Sequence, residues 1–217
     1  MKNKVVLSLF DYSGVMIKPW AKAGYQCYCV DTYHKGIKKE GNITYIEADI
    51  MNYLPPRKEY RIVFSFPPCT NLSVSGARWF KDKGLNGLSE GIKLVERARQ
   101  ICEWCSAPWM IENPISVLST YWREPDYIFH PYEYDGYTKD DNAYSKKTCL
   151  WTSKDFKMPI KIPAKKFDNR IHMMGPSEDR GRKRSLTPEG FAIAVYKANE
   201  GLIEIENFEK KEIDDWI

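Results

Sequence analysis

The stretch that most constrains the fold of this chain covers residues 62–73, where an apolar run leads directly into two prolines and a cysteine. Proline fixes the backbone φ and has no N–H for a sheet ladder, so Pro67 and Pro68 are expected to end a buried strand. Cys69 then lies at the carboxyl edge of that strand. Ligands of open α/β sheets bind at this edge, which makes Cys69 a candidate nucleophile; a cysteine taken alone is more often a buried structural thiol.

Short apolar runs elsewhere in the chain predict the remaining strands of a sheet. The five runs assigned to a parallel arrangement cover 4–10, 25–30, 43–46, 62–66 and 109–111. Two further segments, 127–130 and 148–152, are expected to pair antiparallel at one edge. Helical spacing and capping residues predict helices over 19–23, 88–106 and 186–198. Strands that alternate with helices favour an α/β fold with a mostly parallel central sheet and helices on both faces.

Polar residues follow the second and fifth predicted strands. Asp31 ends the second strand of a β-α-β unit, the position from which a carboxylate binds ribose hydroxyls. Glu112 and Asn113 end the fifth strand, one crossover away from Cys69. Consecutive parallel strands usually neighbour each other, so we expect Glu112 and Cys69 to face each other across one cleft.

Glycine is dense between residues 75 and 91, where Gly76, Gly84, Gly87 and Gly91 accompany several cations. This density predicts a loop that moves. The aromatic-rich segment 121–137 is expected mainly to fill the core or cover the sheet, with base stacking as the alternative.

Composition places the chain among globular proteins, with 43% hydrophobic and 29% charged residues, and no apolar run approaches the roughly 20 residues that span a bilayer. We expect one domain over 1–199 and an acidic tail over 200–217. Six scattered cysteines without a secretion signal favour a reducing cytoplasm. Cys102 and Cys105 form a C-x-x-C without a second ligand pair, so buried core thiols are expected there and no metal site.

Two segments of opposite charge lie within a net charge of +4. Residues 153–183 hold nine Lys or Arg against four Asp or Glu, a local +5, and residues 200–217 hold seven acidic residues against two lysines, a local −5. The basic segment is expected either to face phosphates or to be a solvated loop. The acidic tail fits a helix, a solvated end or an autoinhibitory mimic of phosphate.

The Pro-Pro-Cys-x-x-x-Ser stretch, the strand that ends in Glu-Asn and the β-α-β core together resemble the Dcm-type cytosine C5-methyltransferases over most of the chain. The resemblance implies a Rossmann-like class I methyltransferase fold with S-adenosylmethionine as cofactor. The catalytic residues that it implies are Cys69, Ser73, Glu112 and Asn113. The cofactor-binding residues are Phe10, Ser13, Gly14, Asp31, Asp49, Ile50 and Pro67. Those for substrate or phosphate are Arg78, Lys147, Arg184 and Thr187.

Two positions and one motif depart from the family pattern. Tyr12 stands where the first glycine of the cofactor turn is expected, and Pro114 replaces the valine after Glu-Asn. The Gln-x-Arg-x-Arg motif is absent, and Lys146 or Lys147 is the candidate to replace its arginines. A binding protein that keeps the fold and has lost turnover is therefore one alternative.

The chemistry of cytosine explains why such residues are needed. C5 is a poor nucleophile, and attack of a thiolate at C6 makes it enamine-like. The resemblance implies that Cys69 attacks C6, that Glu112 orients and protonates the ring, and that a base removes the C5 proton before Cys69 leaves.

The substrate has two interpretations. Only residues 153–183 stand where DNA-modifying relatives carry a target-recognition region, and about 30 residues cannot build a domain with its own core. In the first interpretation the protein methylates DNA with little or relaxed sequence specificity, flipping the base beneath the 75–91 segment. In the second it methylates a free cytidine nucleotide such as dCMP or CMP, with its phosphate bound by arginine or lysine.

Overall fold

The computed structural model describes residues 5–175, 177 and 180–202. The strands of this part of the chain are β1 (Val5–Leu9), β2 (Gln26–Asp31), β3 (Ile37–Glu40), β4 (Ile43–Glu47), β5 (Tyr60–Ser65), β6 (Trp109–Pro114), β7 (Tyr127–Phe129) and β8 (Thr148–Thr152). The α-helices are α1 (Lys18–Lys22), α2 (Phe80–Trp104), α3 (Leu118–Tyr121), α4 (Arg170–Met173), α5 (Arg180–Ser185) and α6 (Glu189–Glu200). Single 3-10 segments cover Val15–Ile17, Val74–Trp79 and Pro131–Tyr137.

All eight strands belong to one mixed sheet with the order β3-β4-β2-β1-β5-β6-β8-β7. The five central strands from β4 to β6 are parallel, and β3, β8 and β7 run antiparallel to their neighbours. The expected α/β architecture is confirmed at this level, including the antiparallel pair β7 and β8 at one edge. The strand β3 was not predicted, because its four side chains are all exposed and give no apolar signal.

The sheet is covered by helices on both faces, as expected. On one face α1 and α6 pack against the strands, with Trp20 and Phe191 almost completely buried. On the other face α2 buries Val95 and Ile101 against the alternate side chains of β1 and β5. The two cores follow from the period-2 alternation of the strands, which sends neighbouring side chains to opposite faces.

The prediction of a mobile loop over 75–91 is wrong, because most of this segment is helical. A 3-10 segment, Val74–Trp79, leads directly into α2, whose only non-helical backbone is at Gly84 (φ 59°, ψ −163°). A β-carbon on Gly91 would lie 2.8 Å from the Leu72 side chain. Glycine at position 91 thus serves close packing of the helix against the segment that follows Cys69, and not motion. The predicted helix over 88–106 is confirmed as the second part of α2.

The end of the described chain is held by contacts to the sheet. Asn199 is buried, donates to the carbonyls of Val195 and Lys157, and accepts from the Lys157 amide. Glu200, the first residue of the predicted acidic tail, is the last residue of α6 and pairs with Arg61 at 2.8 Å. Residues 203–217, nearly all of that predicted tail, lie outside the described residues. No helix in the described ranges is long and apolar enough to cross a membrane.

Candidate functional site

The segment after β5 forms a tight turn centred on Cys69. Its carbonyl oxygen accepts hydrogen bonds from the amides of Leu72 (2.9 Å) and Ser73 (2.8 Å). Ser73 forms an isolated bridge with Ser116, and the Val74 amide donates to the Ile115 carbonyl at 3.1 Å. The turn is therefore fastened to the segment that follows β6.

A second tie joins the two strand ends directly. The parallel register of β5 and β6 places Ser65 beside Ile111, so that the Pro-Pro-Cys segment and the Glu-Asn pair leave the sheet at the same edge. Asn113 is completely buried, and its Nδ2 donates to the Pro67 carbonyl oxygen at 2.9 Å. Its Oδ1 has no partner among the described groups. Asn113 thus holds the backbone two residues before Cys69.

Cys69 differs from the other five cysteines, since it is half-buried and they are all buried. Burial raises the pKa of the Cys69 thiol, and the nearby carboxylate of Glu112 raises it further. Lys146 and Arg184 act in the opposite direction. The structure therefore brings Cys69 and Glu112 together, as the order of the strands predicts, and adds two cations that favour the thiolate.

The lysine of this cluster is Lys146. Its Nζ lies 3.7 Å from Glu112 Oε1, and only 15% and 18% of the two side chains are exposed. Lys147, the neighbouring residue that we assigned to the substrate, instead acts on His130 and Cys149. Burial lowers the pKa of His130 and Lys147 lowers it further, whereas burial raises the pKa of Cys149 to about 11 and Lys147 opposes that rise. Successive residues entering a strand point to opposite sides, which separates the two lysines.

The other residues predicted to bind substrate or phosphate lie in three different places. Arg184 belongs to α5 and is close enough to influence Cys69. Thr187 is half-buried in the turn between α5 and α6. Arg78 is exposed, with its guanidinium 5.0 Å from the Trp79 ring centroid.

Ser73, expected among the catalytic residues, is buried and its Oγ shares a 2.9 Å hydrogen bond with Ser75, so it shapes the turn.

The predicted cofactor turn after β1 is organised by a buried carboxylate. Asp11 is 3% exposed, and its Oδ1 accepts from the Ser13 amide (3.0 Å), the Ser13 hydroxyl (3.0 Å) and the Gly14 amide (2.7 Å). Its Oδ2 accepts from Ser8 at 2.7 Å. Phe10 and Gly14 both adopt positive φ, 52° and 65°, which reverses the chain within five residues. This turn lies next to the Cys69 segment, because the Phe66 amide donates to the Leu9 carbonyl.

Asp31 lies at the same edge, at the end of β2. It is 9% exposed, and burial raises its pKa. Oδ1 accepts from the Tyr33 amide at 2.8 Å, whereas Oδ2 accepts no hydrogen bond from any described group. A nearly buried carboxylate with one free oxygen fits a ribose diol, which offers two hydroxyl donors.

The two residues expected near the adenine have different environments. Asp49 is exposed and accepts from the Met51 amide and the Asn52 side chain, so it caps its own turn. Ile50 is 1% exposed and belongs to the core beneath α2. The residues at this edge fit a nucleoside-bearing cofactor through Asp31 and the Asp11 turn.

An aromatic group that includes Tyr12 covers this edge. Tyr12 is 45% exposed and stacks on His34 at 5.8 Å, and His34 meets the Tyr45 ring at 5.1 Å. A β-carbon on Gly14 would lie 3.1 Å from the Tyr45 hydroxyl. The turn is therefore packed against tyrosine on the side of β4.

Two cavities lie outside these clusters. One, of about 470 Å³, lies between α1 and the β3–β4 turn, and the other, of about 420 Å³, lies beside the start of α2. Cys69 lines neither, although Asn71 lines the second. In the described ranges no group of three or more His, Cys, Asp or Glu side chains is placed to hold a metal ion. Cys102 and Cys105 are both buried in the core beneath α2.

No protein-family model matches this chain, and no curated protein matches it.

Sequence reasoning missed Asp11 and left the choice of lysine open. An Asp followed by Ser-Gly two and three residues later is the signature of an Asx turn, a signal that could have identified Asp11. Nothing in the local sequence distinguishes Lys146 from Lys147, because the difference depends on how β8 is placed in the sheet.

Proposed function

We propose that this protein is an S-adenosylmethionine-dependent methyltransferase that acts at C5 of cytosine through a covalent cysteine mechanism. One observation carries the proposal: the half-buried thiol of Cys69 shares one cluster with the carboxylate of Glu112 and the ammonium of Lys146. The resemblance of the Pro-Pro-Cys and Glu-Asn motifs to the Dcm-type enzymes supports it. The mixed sheet supports the finer assignment to the class I methyltransferase fold.

The charges of the cluster suit an attack on cytosine C6. Burial and the Glu112 carboxylate raise the pKa of Cys69, whereas Lys146 and Arg184 favour its thiolate. As the sulfur adds to C6, the thiol proton passes by way of Glu112 to ring N3, and Glu112 is left as a carboxylate beside Lys146. The ammonium thus balances the charge that develops in the transition state.

Addition of Cys69 places electron density on C5, where methylation takes place. S-adenosylmethionine, when bound, supplies the methyl group on a positively charged sulfur; Asp31 and the Asp11 turn would hold it at the edge shared with Cys69. Loss of the C5 proton to a base and departure of Cys69 from C6 then restore the aromatic ring, and the N3 proton returns by way of Glu112 to the sulfur, which restores the free thiol.

The experiment that tests this proposal offers methyl-labelled S-adenosylmethionine with duplex DNA, single-stranded DNA and cytidine nucleotides in parallel. We expect label at C5 of cytosine in at least one fraction. Replacing Cys69 with alanine should leave the protein folded and abolish transfer, whereas the control Cys105→Ala, at a buried cysteine remote from the cluster, should retain it. Full activity of Cys69→Ala would end this mechanism.

The free-nucleotide substrate is the second candidate, favoured by the shortness of residues 153–183, which leaves no room for a recognition domain. The parallel fractions separate it from the polynucleotide substrate. Absence of label in every fraction, together with absence of S-adenosylmethionine binding at millimolar concentration, would favour the inactive binding protein.

A further inference from the structure

A groove of about 420 Å³ opens beside the Cys69 turn, between the start of α2 and the end of α3. Its apolar wall includes Phe80, Leu88 and Tyr121, and its rim includes the cations Lys81 and Lys83. The Tyr121 side chain is 59% exposed and Lys81 is exposed. Such a groove offers flat apolar surface at its wall and positive charge at its rim.

The groove shares residues and a hydrogen bond with the Cys69 turn. Asn71, two residues after Cys69, lines the groove, and Lys83 Nζ donates to the neighbouring Thr70 carbonyl oxygen. The amide of Leu72 donates to the Cys69 carbonyl. A molecule in the groove therefore lies against Asn71, two residues along the chain from Cys69.

The groove combines aromatic and apolar side chains with two lysines, a combination that suits a nucleotide. Aromatic side chains on which bases stack, combined with cations that face the backbone, are the common features of single-strand binding sites. Arg78, Lys81 and Lys83 stand against one acidic residue, Asp82, over residues 78–83. The exposed ring of Trp79, 52% accessible, adds a second stacking surface at the same end of α2.

We propose that this groove binds the base adjacent to the target cytosine in a single strand of DNA. The inference rests on the proposed function and names its substrate: Phe80 and Tyr121 contact the neighbouring base, and Lys81 contacts its phosphate. A free nucleotide has no second base to place there, and in a duplex that base is stacked and paired.

The test compares oligonucleotides of eight residues with one central cytosine, either intact or with an abasic site on one side or the other of it. Both the rate of methyl transfer (kcat/KM) and the affinity, by fluorescence anisotropy without cofactor, are measured. We expect kcat/KM to be higher for the intact strand than for dCMP. The Tyr121→Ala substitution should weaken binding of the strand roughly tenfold, and so should an abasic site on one side of the cytosine. When the Tyr121→Ala variant binds the abasic strand, the loss of affinity should be little larger than for either change alone, because both changes remove the same contact.

Three variants control for folding and for charge. Tyr121→Phe keeps the ring and should bind the strand as the wild type does. Lys81→Glu should weaken binding of the strand and leave kcat/KM for dCMP unchanged. Lys39→Glu changes the same charge on the exposed strand β3 and should have no such effect.

Equal kcat/KM for dCMP and the strand, or an equal loss for both in Tyr121→Ala, would overturn the groove assignment while the methyltransferase proposal stands. Absence of transfer to every substrate would overturn the methyltransferase proposal. The anisotropy cycle, which compares the affinities of wild type and Tyr121→Ala for the intact and abasic strands, would still test the groove assignment. In that cycle, an abasic penalty that persists unchanged in Tyr121→Ala would show that another surface holds the neighbouring base.

Discussion

Replacing Asn113 with alanine tests whether one buried hydrogen bond holds the catalytic segment in place. Asn113 is completely buried, and its Nδ2 is the donor that the Pro67 carbonyl oxygen has in the described part of the chain. An unsatisfied buried acceptor costs about 1–3 kcal/mol. Removal of the unpartnered Oδ1 offsets part of that loss, so we expect the free energy of unfolding to fall by about 1–2 kcal/mol.

For a chain of this length, a loss of that size lowers Tm by about 2–8 °C. Urea unfolding followed by tryptophan fluorescence measures the loss in free energy of unfolding, because Trp20 and Trp151 are buried and report on both cores. Methyl transfer should fall further than stability, by about 10- to 100-fold, because the backbone before Cys69 loses its tie to β6.

The matched control is Asn52→Ala. Asn52 is exposed and its Nδ2 donates to Asp49 at 2.7 Å, so its loss should change the free energy of unfolding by no more than about 0.5 kcal/mol. If Asn113→Ala unfolds at the same urea concentration as wild type and Asn52→Ala, the reasoning is refuted.

Two further predictions concern charge and packing. Glu112→Gln removes the carboxylate that helps to raise the pKa of Cys69, so alkylation of this thiol by iodoacetamide should shift to lower pH; Lys146→Met removes an opposing cation and should shift it to higher pH. Gly190→Ala places a β-carbon 2.2 Å from the Tyr134 carbonyl oxygen, a backbone atom that cannot move aside cheaply, and should lower the free energy of unfolding in urea by about 3 kcal/mol.

Both predictions have internal controls. Alkylation reports on Cys69 because the other cysteines are buried, and shifts in the same direction for the two variants would contradict the charge assignment. Gly181→Ala, in α5, has no atom within 4 Å of the added β-carbon and should change stability by no more than about 1 kcal/mol. Equal stability of the two alanine variants would mean that the contact at Gly190 relaxes without cost.

The sequence was most informative where one physical signal dominates. Runs of apolar side chains identify strands buried on both faces, and prolines mark where a strand stops, so β5, β6 and the proximity of Cys69 to Glu112 follow from the order of the chain. The exposed strand β3 carries no such signal and was missed.

The glycines of residues 75–91 show where composition misleads. Glycine permits unusual backbone angles and also permits close approach, and the sequence does not distinguish the two uses. Gly84 does break the helix, whereas Gly91 lies against Leu72. Only the packing of α2 on the Cys69 turn reveals the second use.

The order of the chain alone predicts the α/β class, the strand that leads into the Cys69 turn and the carboxylate that follows the neighbouring strand. The tertiary structure decided which cation completes the cluster, since the direction of Lys146 depends on the antiparallel placement of β8 against β6. It also decided that Asn113 fastens Pro67 and that Asp11 holds the turn beside Asp31. These contacts join residues from different elements, and burial and distance between elements are properties that a linear pattern does not contain.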